Sequence, residues 1–317
     1  MKLIIQIPCF NEEHSLAATV RDLPREIPGI DTIEYLVIDD GSTDHTIKVA
    51  KTSGVHHVIS NGSNRGLGKS FMEGIKYALA EGADILVNTD GDNQYHGADI
   101  AKLVAPILNR EADLVVGCRP IRAHQEFSWF KKLMQSLGSF VLRQISKTDV
   151  RDAASGFRAF SRDTCMKLNV YSKFSYCMET LIQAGNSNLR VTSVDIGVNP
   201  KTRESRLFTH IFEHITKSGL TMLTMYVLYR PGRFFFSIGA AFLSVAAVLG
   251  LRFIVLVYVL EATLGRTYLP SLILLSVLAS TGFLSFIVGI LGEVLKYMRI
   301  ISENNSYLLR KMMYDKN

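Results

Sequence analysis

The sequence predicts an α/β domain built on a doubly wound, mostly parallel sheet, followed by a juxtamembrane helix and a two-helix transmembrane hairpin. Three observations carry that prediction. Short apolar runs alternate with helix-like stretches, carboxylates recur where the apolar runs stop, and hydrophobic residues fill positions 234–292 while charge crowds the first two thirds of the chain.

Leu3-Ile4-Ile5-Gln6-Ile7-Pro8 has the pattern of a buried strand ending at a proline, and Asn11-Glu12-Glu13-His14-Ser15-Leu16 opens a helix with acids in its first turn. Tyr35-Leu36-Val37-Ile38 is a second strand, running into Asp39-Asp40-Gly41-Ser42-Thr43-Asp44 before a helix through Ala50. Val55 to Ile59 is a third, followed by the glycine-containing loop Asn61 to Ser70 and a helix through Ala80. Glycines and Lys69 at a helix start suit a phosphate held by backbone N–H groups and charge. Ile85-Leu86-Val87 is a fourth strand, ending at Asp90-Gly91-Asp92-Asn93-Gln94, and Asp113 to Gly117 is a fifth. Strands alternating with helices predict the parallel sheet, whose carboxyl edge is the usual place for ligands.

Composition excludes several classes. The four cysteines, Cys9, Cys118, Cys165 and Cys177, lack C-x-x-C spacing and fall in predicted strands or helices, which suits reduced core thiols better than zinc ligands or disulfides. A net charge of +6 without a basic-aromatic platform points to an anionic membrane surface and not to nucleic acid. The apolar run Leu3 to Ile7 is too short for a signal peptide. The glycine loop is not a Walker A, since one residue separates Gly66 from Gly68 and five separate Gly62 from Gly68, and no G-x-G-x-x-G follows the first strand. Two carboxylates one residue apart, Asp90 and Asp92, suit Mg2+ or Mn2+, which shares its shell with substrate phosphates.

Taken in order, Pro8-x-x-Asn11-Glu12-Glu13, Asp39-Asp40-Gly41-Ser42-x-Asp44, Asn64-x-Gly66 and Asp90-x-Asp92-x-Gln94 resemble the inverting family 2 glycosyltransferases with the GT-A fold. Asp152-x-x-Ser155-Gly156-Phe157-Arg158 narrows the resemblance to dolichyl-phosphate mannose synthase and bacterial polyprenyl-phosphate glycosyltransferases. The resemblance implies a nucleoside-diphosphate sugar donor, UDP- or GDP-linked, and a polyprenyl or dolichyl phosphate acceptor. It implies that Pro8, Phe10 and Glu12 line the nucleotide pocket, that Asp39 holds the base or ribose, and that Asp40 and Asp44, beside that donor site, shape the turn. Lys69 and Glu179 join the donor site, Glu179 as an acid near the sugar or else as a plain helix-start carboxylate. Asp90, Asp92 and Gln94 would bring the metal to the diphosphate. On the acceptor side the resemblance implies Asp152, as a base or as a positioning group, with Ser155 and Arg158 receiving phosphate and Arg203 and Arg206 closing over donor and acceptor. The usual Ala-Asp-Leu of the metal motif is Gly91-Asp92-Asn93 here.

The chain divides into a catalytic domain over 1–202, amphipathic interfacial helices over 203–231, a hairpin over 232–296 and a tail over 297–317. In 203–229, Leu207, Phe208, Ile211, Phe212, Ile215 and Met222 recur at helical spacing, and Arg203, Arg206, His210, His214 and Lys217 form a second stripe. His210 and His214 lack the H-E-x-x-H context of a zinc site. Residues 234–260 and 269–291 are each long enough to cross a bilayer. Arg230 and Arg233 before the first span, and Lys296, Arg299, Arg310 and Lys311 after the second, place both ends and the catalytic domain in the cytoplasm of a multi-pass membrane protein. Arg252 interrupts the first span and either snorkels or finds a partner. Small residues four apart, Ser237 with Ala241, Ser276 with Ala279-Ser280, and Ser285 with Gly289, allow close helix packing or a homo-oligomer.

Two other classes compete. A processive polysaccharide synthase calls for more spans and a Q-x-x-R-W motif, whereas the one tryptophan, Trp129, sits in Phe127-Ser128-Trp129-Phe130. A non-catalytic nucleotide-binding adaptor calls for indifference to Asp92→Asn.

Overall fold

The computed structural model describes residues 1–120, 146, 148–171, 176–200, 219–220, 223–259 and 268–315. The chain forms two units, Met1–Met222 with Glu303–Asn317, and Leu223–Ser302.

The first unit is a seven-stranded sheet, with β1 (Lys2–Cys9), β2 (Thr32–Asp39), β3 (His57–Ser60), β4 (Ile85–Asn88), β5 (Leu114–Cys118), β6 (Arg158–Ser161) and β7 (Val191–Asp195) in the order β3-β2-β1-β4-β6-β5-β7. β1 pairs in parallel with β2 and β4, and β2 with β3, as the βαβ alternation predicts. The near-continuous apolar character of β1 and β4 matches their position, since both are covered on two faces. Helices α1 (Leu16–Asp22), α2 (Thr46–Thr52), α3 (Leu67–Ala80) and α4 (Ile100–Leu108) form the crossovers. α3 lies so close to β1 that a Cβ on Gly74 would come within 2.1 Å of the Gln6 side-chain oxygen.

β6 departs from the parallel pattern and runs antiparallel to both β4 and β5. Its sequence, Arg158-Ala159-Phe160-Ser161, carries too short an apolar run to announce a strand. α5 (Arg162–Lys167) and α6 (Cys177–Asn186) follow it. Ser161 caps α5 by accepting the Thr164 N–H.

Residues 303–315 close the back of this unit. Arg310 donates to the carbonyls of Met166 and Leu168 and to Asn169 Oδ1, at 3.1, 2.6 and 2.6 Å, which satisfies the open carbonyls at the end of α5. Tyr307 donates to Asp163 at 2.8 Å, and Arg162 donates to the Tyr314 carbonyl at 2.7 Å.

The second unit holds the helical residues 223–229, α7 (Pro231–Ile254), which continues as a π-helical turn at Val255–Val259, and α8 (Leu269–Tyr314), whose last turns belong to the first unit. Both long helices are apolar enough to cross a membrane. At about 1.5 Å per residue, the 46 residues of α8 reach well beyond a hydrocarbon core of roughly 30 Å. Helix therefore continues through the stretch that the sequence divides into a span ending at Leu291 and a tail. α7 and α8 meet at glycines: a Cβ on Gly239 would come within 2.7 Å of the Phe286 ring, and one on Gly282 within 2.7 Å of Leu243. Of the small residues singled out above, Gly289 joins this contact, against Phe236, whereas the hydroxyls of Ser237, Ser276 and Ser285 bond to carbonyls of their own helices.

Candidate active site

Strand directions gather the chemistry at one edge of the sheet. β1, β2 and β4 run parallel, so the turns after Cys9, Asp39 and Asn88 all open there. β6 runs the opposite way with Arg158 beside Asn88, and so segment 152–157 enters the sheet from the same edge. β5 ends there too, delivering Arg119 just past its last residue.

The loops after β1 and β2 are fastened to each other. Asn11 sits in the left-handed region at φ 56°, a conformation asparagine tolerates, with its N–H on Ser42 Oγ at 2.9 Å and its Oδ1 accepting the Thr43 N–H at 2.8 Å. Phe10 is exposed, while Pro8 and Glu12 are buried, the Glu12 carboxylate accepting from Ser15. Asp39 is buried and accepts from Ser60 Oγ at 2.9 Å and from the Ser42 and Gly41 N–H groups at 3.2 and 3.3 Å. Asp40 takes the amides of Arg65 and Gly66, at 3.0 and 2.9 Å, and the Asn61 side chain at 2.9 Å. Gly41, at φ +76°, lies against this loop, and a Cβ there would overlap the Ser63 backbone at 2.5 Å.

The acids after β4 stand in a more demanding environment. Asp90 and Asp92 are each half-buried. Burial first, then the charge of Asp92, pushes the Asp90 carboxyl up from 3.8 to about 7, against the pull of Arg119. Tyr95 donates its hydroxyl to Asp90, accepts the Gly156 N–H at 3.1 Å, and stacks on Phe157 with ring centroids 4.9 Å apart. Burial and the charge of Asp90 raise the Tyr95 phenol, which therefore keeps its proton. On the other side of Gly156, its carbonyl accepts from Tyr176 Oη and Asn88 Nδ2, both at 3.0 Å. A Cβ on Gly156 would meet Tyr176 Oη at 2.7 Å and the Asp90 carboxylate at 3.2 Å, so the acceptor-side segment and the metal motif touch at a glycine.

Arg119 joins the two halves. Its Nε and Nη2 donate to the two oxygens of Asp152 at 2.7 and 3.0 Å, a bidentate pair in which Asp152 is buried and Arg119 keeps 31% of its side-chain surface exposed. Burial opposes the guanidinium charge, and the Asp152 hydrogen bonds overcome that opposition, so its pKa is raised.

Residues 4–168 match glycosyl transferase family 2. The chain belongs to that family. The enzyme is 32% identical over 212 residues to a UDP-N-acetylglucosamine–dolichyl-phosphate N-acetylglucosaminyltransferase of Methanococcus voltae, a match covering 60% of this chain and 82% of that one. It is 30% identical over 176 residues to an undecaprenyl-phosphate mannosyltransferase of Micrococcus luteus, covering 54% and 70% of the two chains. Among solved structures it resembles the glucosyl-3-phosphoglycerate synthase of Mycobacterium tuberculosis with Mn2+ and UDP, at a TM-score of 0.55 and 20% identity, covering 71% and 78%. The same synthase is also known with Mg2+ and UDP. That likeness establishes the GT-A fold of the enzyme.

Several expected site residues stand in other roles. Arg158 is completely buried and donates to the carbonyls of Ser155, Cys177 and Ala153 and to Thr180 Oγ1, at 2.7 to 2.8 Å, so it ties segment 153–158 to α6 and has no face for a phosphate. Ser155 is equally buried, with Oγ accepting the Phe157 N–H at 3.3 Å. Asp40 organises the glycine loop from inside, its carboxylate accepting the Arg65 and Gly66 amides, so the Gly66 N–H expected to hold a phosphate is already bonded. Lys69 lies exposed in the first turn of α3. Glu179 is buried in the first turn of α6, where both its oxygens accept the Tyr171 N–H, at 3.1 and 3.2 Å. Arg203 and Arg206 lie outside the described residues.

Asp90, Asp92 and Gln94 fit a divalent cation by donor chemistry. They are hard oxygens, two of them acidic, and the proton held by Asp90 near neutrality marks a charge imbalance that a cation removes. Among the described residues no three His, Cys, Asp or Glu side chains are arranged to hold a metal. Arg119 and Tyr95 escaped the sequence reading. Arg119 follows β5 without a motif, though an arginine at a strand's carboxyl end beside a known acid edge is a usable signal. Tyr95 follows the D-x-D-x-Q motif directly.

Proposed function

We propose that the enzyme transfers a sugar, with inversion, from a UDP- or GDP-linked donor to a polyprenyl or dolichyl monophosphate. The half-exposed Arg119 beside the Asp90–Asp92 pair carries the proposal, because it sets a phosphate-receiving cation next to an acid pair suited to a metal-bound diphosphate. Asp90, Asp92 and Gln94 hold Mg2+ or Mn2+, which when bound offsets the charge that grows on the departing diphosphate. Arg119 orients the acceptor phosphate, and Asp152 fixes the guanidinium plane. A phosphate monoester with a second pKa near 6 is largely dianionic at neutral pH, so its oxygen attacks the anomeric carbon without a general base. The new bond forms from that oxygen, the bond to the diphosphate breaks on the opposite side, and nucleoside diphosphate leaves. Pro8, Phe10, Glu12, Asp39 and Lys69 receive the nucleotide, and Arg203 and Arg206 close over the two phosphates.

The membrane placement follows from the same chain. Residues 303–315 pack on the catalytic unit, and a hairpin of two crossings between them and residue 231 would bring the chain back there. The flanking arginines and lysines support a cytoplasmic catalytic unit by the positive-inside bias.

A donor screen tests the reaction: purified enzyme, Mg2+ or Mn2+, a short polyprenyl phosphate and labelled nucleotide sugars, with label followed into the organic phase. One donor gives transfer to lipid, and Asp92→Asn abolishes it. Label passing instead to a soluble saccharide would overturn the assignment.

A further inference from the structure

The turn that carries Asp92 and Gln94 lies past the end of β4 at Asn88, so the pairing of that strand does not fix its shape. Asn93 reverses the chain there in the left-handed region, at φ 57°, and Asp92 Oδ1 accepts the Gln94 N–H at 3.2 Å. The backbone carbonyls of Asn93, Gln94 and Tyr95 are all taken by one residue from far along the chain, Asn199. Its N–H donates to the Gln94 carbonyl at 2.9 Å, and its Nδ2 donates to the carbonyls of Asn93 and Tyr95 at 3.1 and 3.3 Å. Val198 beside it forms an antiparallel bridge with Tyr95. Asn199 is itself anchored from the sheet, because the Ile196 N–H bonds the Cys118 carbonyl of β5 at 3.1 Å and the Gly197 N–H bonds Asp99 Oδ2 at 2.6 Å.

We propose, on the basis of the cation site assigned above to Asp90, Asp92 and Gln94, that Asn199 is a positioning residue for that site: it fixes the shape of the turn, and through the turn the placing of Asp92 and Gln94, without being a ligand. The residue type suits the task. A side-chain amide carries two donor hydrogens, one for each of two carbonyls, while the backbone N–H serves the third; an aspartate or leucine of similar size brings no side-chain donor. A cation such as Mg2+ tolerates little error in the distances of its oxygens, so groups that hold the ligands without touching the metal typically account for ten- to hundredfold in its affinity. A merely structural Asn199 would tie the end of β7 to the rest of the unit, and its loss would weaken the nucleotide site as much as the cation site.

Calorimetry separates the two roles without using turnover. Full-length enzyme in detergent is titrated with UDP and with GDP, in EDTA and across a series of Mn2+ concentrations, for the wild type, Asn199→Ala and Asp92→Asn. The expected result is that Mn2+ tightens one nucleotide on the wild type, that Asp92→Asn loses this effect, and that Asn199→Ala needs about tenfold more Mn2+ or beyond to reach its midpoint. Its nucleotide affinity in EDTA stays within about twofold of the wild type, since the donor-side residues are not touched. Asn199→Ser, which keeps one donor at shorter reach, shifts the midpoint by a smaller factor and carries the test if Asn199→Ala does not fold. A midpoint unchanged in both variants while Asp92→Asn loses the Mn2+ effect leaves the cation site standing and overturns the positioning role. An equal loss of nucleotide affinity in EDTA overturns it too, in favour of the structural role. If Mn2+ has no effect on the wild type, the cation site itself falls, and Asn199 has nothing there to position.

Discussion

In the proposed metal site a proton and a divalent cation would compete for the Asp90 oxygens. The carboxyl is raised from 3.8 to about 7, so between those values the folded enzyme holds a proton that the unfolded chain has released, and stability falls as pH rises through the window. A cation reverses that loss. The thermal shift produced by Mg2+ or Mn2+ should therefore be larger at pH 8 than at pH 6, with apparent affinity dropping by up to about tenfold per unit below 7; a shift independent of pH would count against Asp90 as a ligand. Arg119 is the second decisive side chain. Arg119→Gln should raise the KM for polyprenyl phosphate by roughly tenfold or more, as loss of a charge-assisted phosphate contact does, while nucleotide affinity measured by calorimetry stays within about twofold. Equal losses on donor and acceptor would contradict its assignment to the acceptor.

Segment 152–158 and α6 are held together by a buried arginine. Arg158→Ala would strip partners from three carbonyls and a hydroxyl, and should cost roughly 3 kcal/mol or more in thermal or denaturant unfolding. An unchanged melting point with a raised acceptor KM would restore the phosphate role. The C-terminal turns of α8 act on the same segment from behind, through Arg310 on the end of α5 and Asn169, whose backbone N–H bonds Gln183 of α6 at 2.8 Å. Arg310→Ala leaves those acceptors without their donor and should destabilise the catalytic unit by about 1–3 kcal/mol, read as a lower melting temperature; no change would mean that the docking is incidental. β6, the element that brings this segment to the site, has almost no sequence signal, because its strand is short and its first residue is a buried charge.

For the whole molecule, the proposed hairpin puts both termini on one face of a bilayer. Epitope tags at the two termini should be cleaved by protease from the same face of sealed vesicles, and both should be protected in vesicles of the opposite orientation. Tags found on opposite faces would exclude the hairpin. The apolar helices themselves were legible in the sequence by length and composition, as were the alternating strands and helices before them, because both depend on local pattern alone. The continuation of α8 to Tyr314 was not, because a charged amphipathic stretch reads as tail until its partner surface is known.

The order of motifs from Pro8 to Gln94, read along the chain, determined the family and the carboxyl edge at which the Asp90–Asp92 pair stands. Those features are set by short runs of neighbouring residues. Tertiary structure alone decided that Arg158 serves the scaffold, that Arg119 stands with Asp152 in the site, and that Tyr95 and Gly156 link the two halves. The reason is that an arginine or aspartate has the same local signature whether its partners are buried carbonyls or a substrate, and only packing chooses between them.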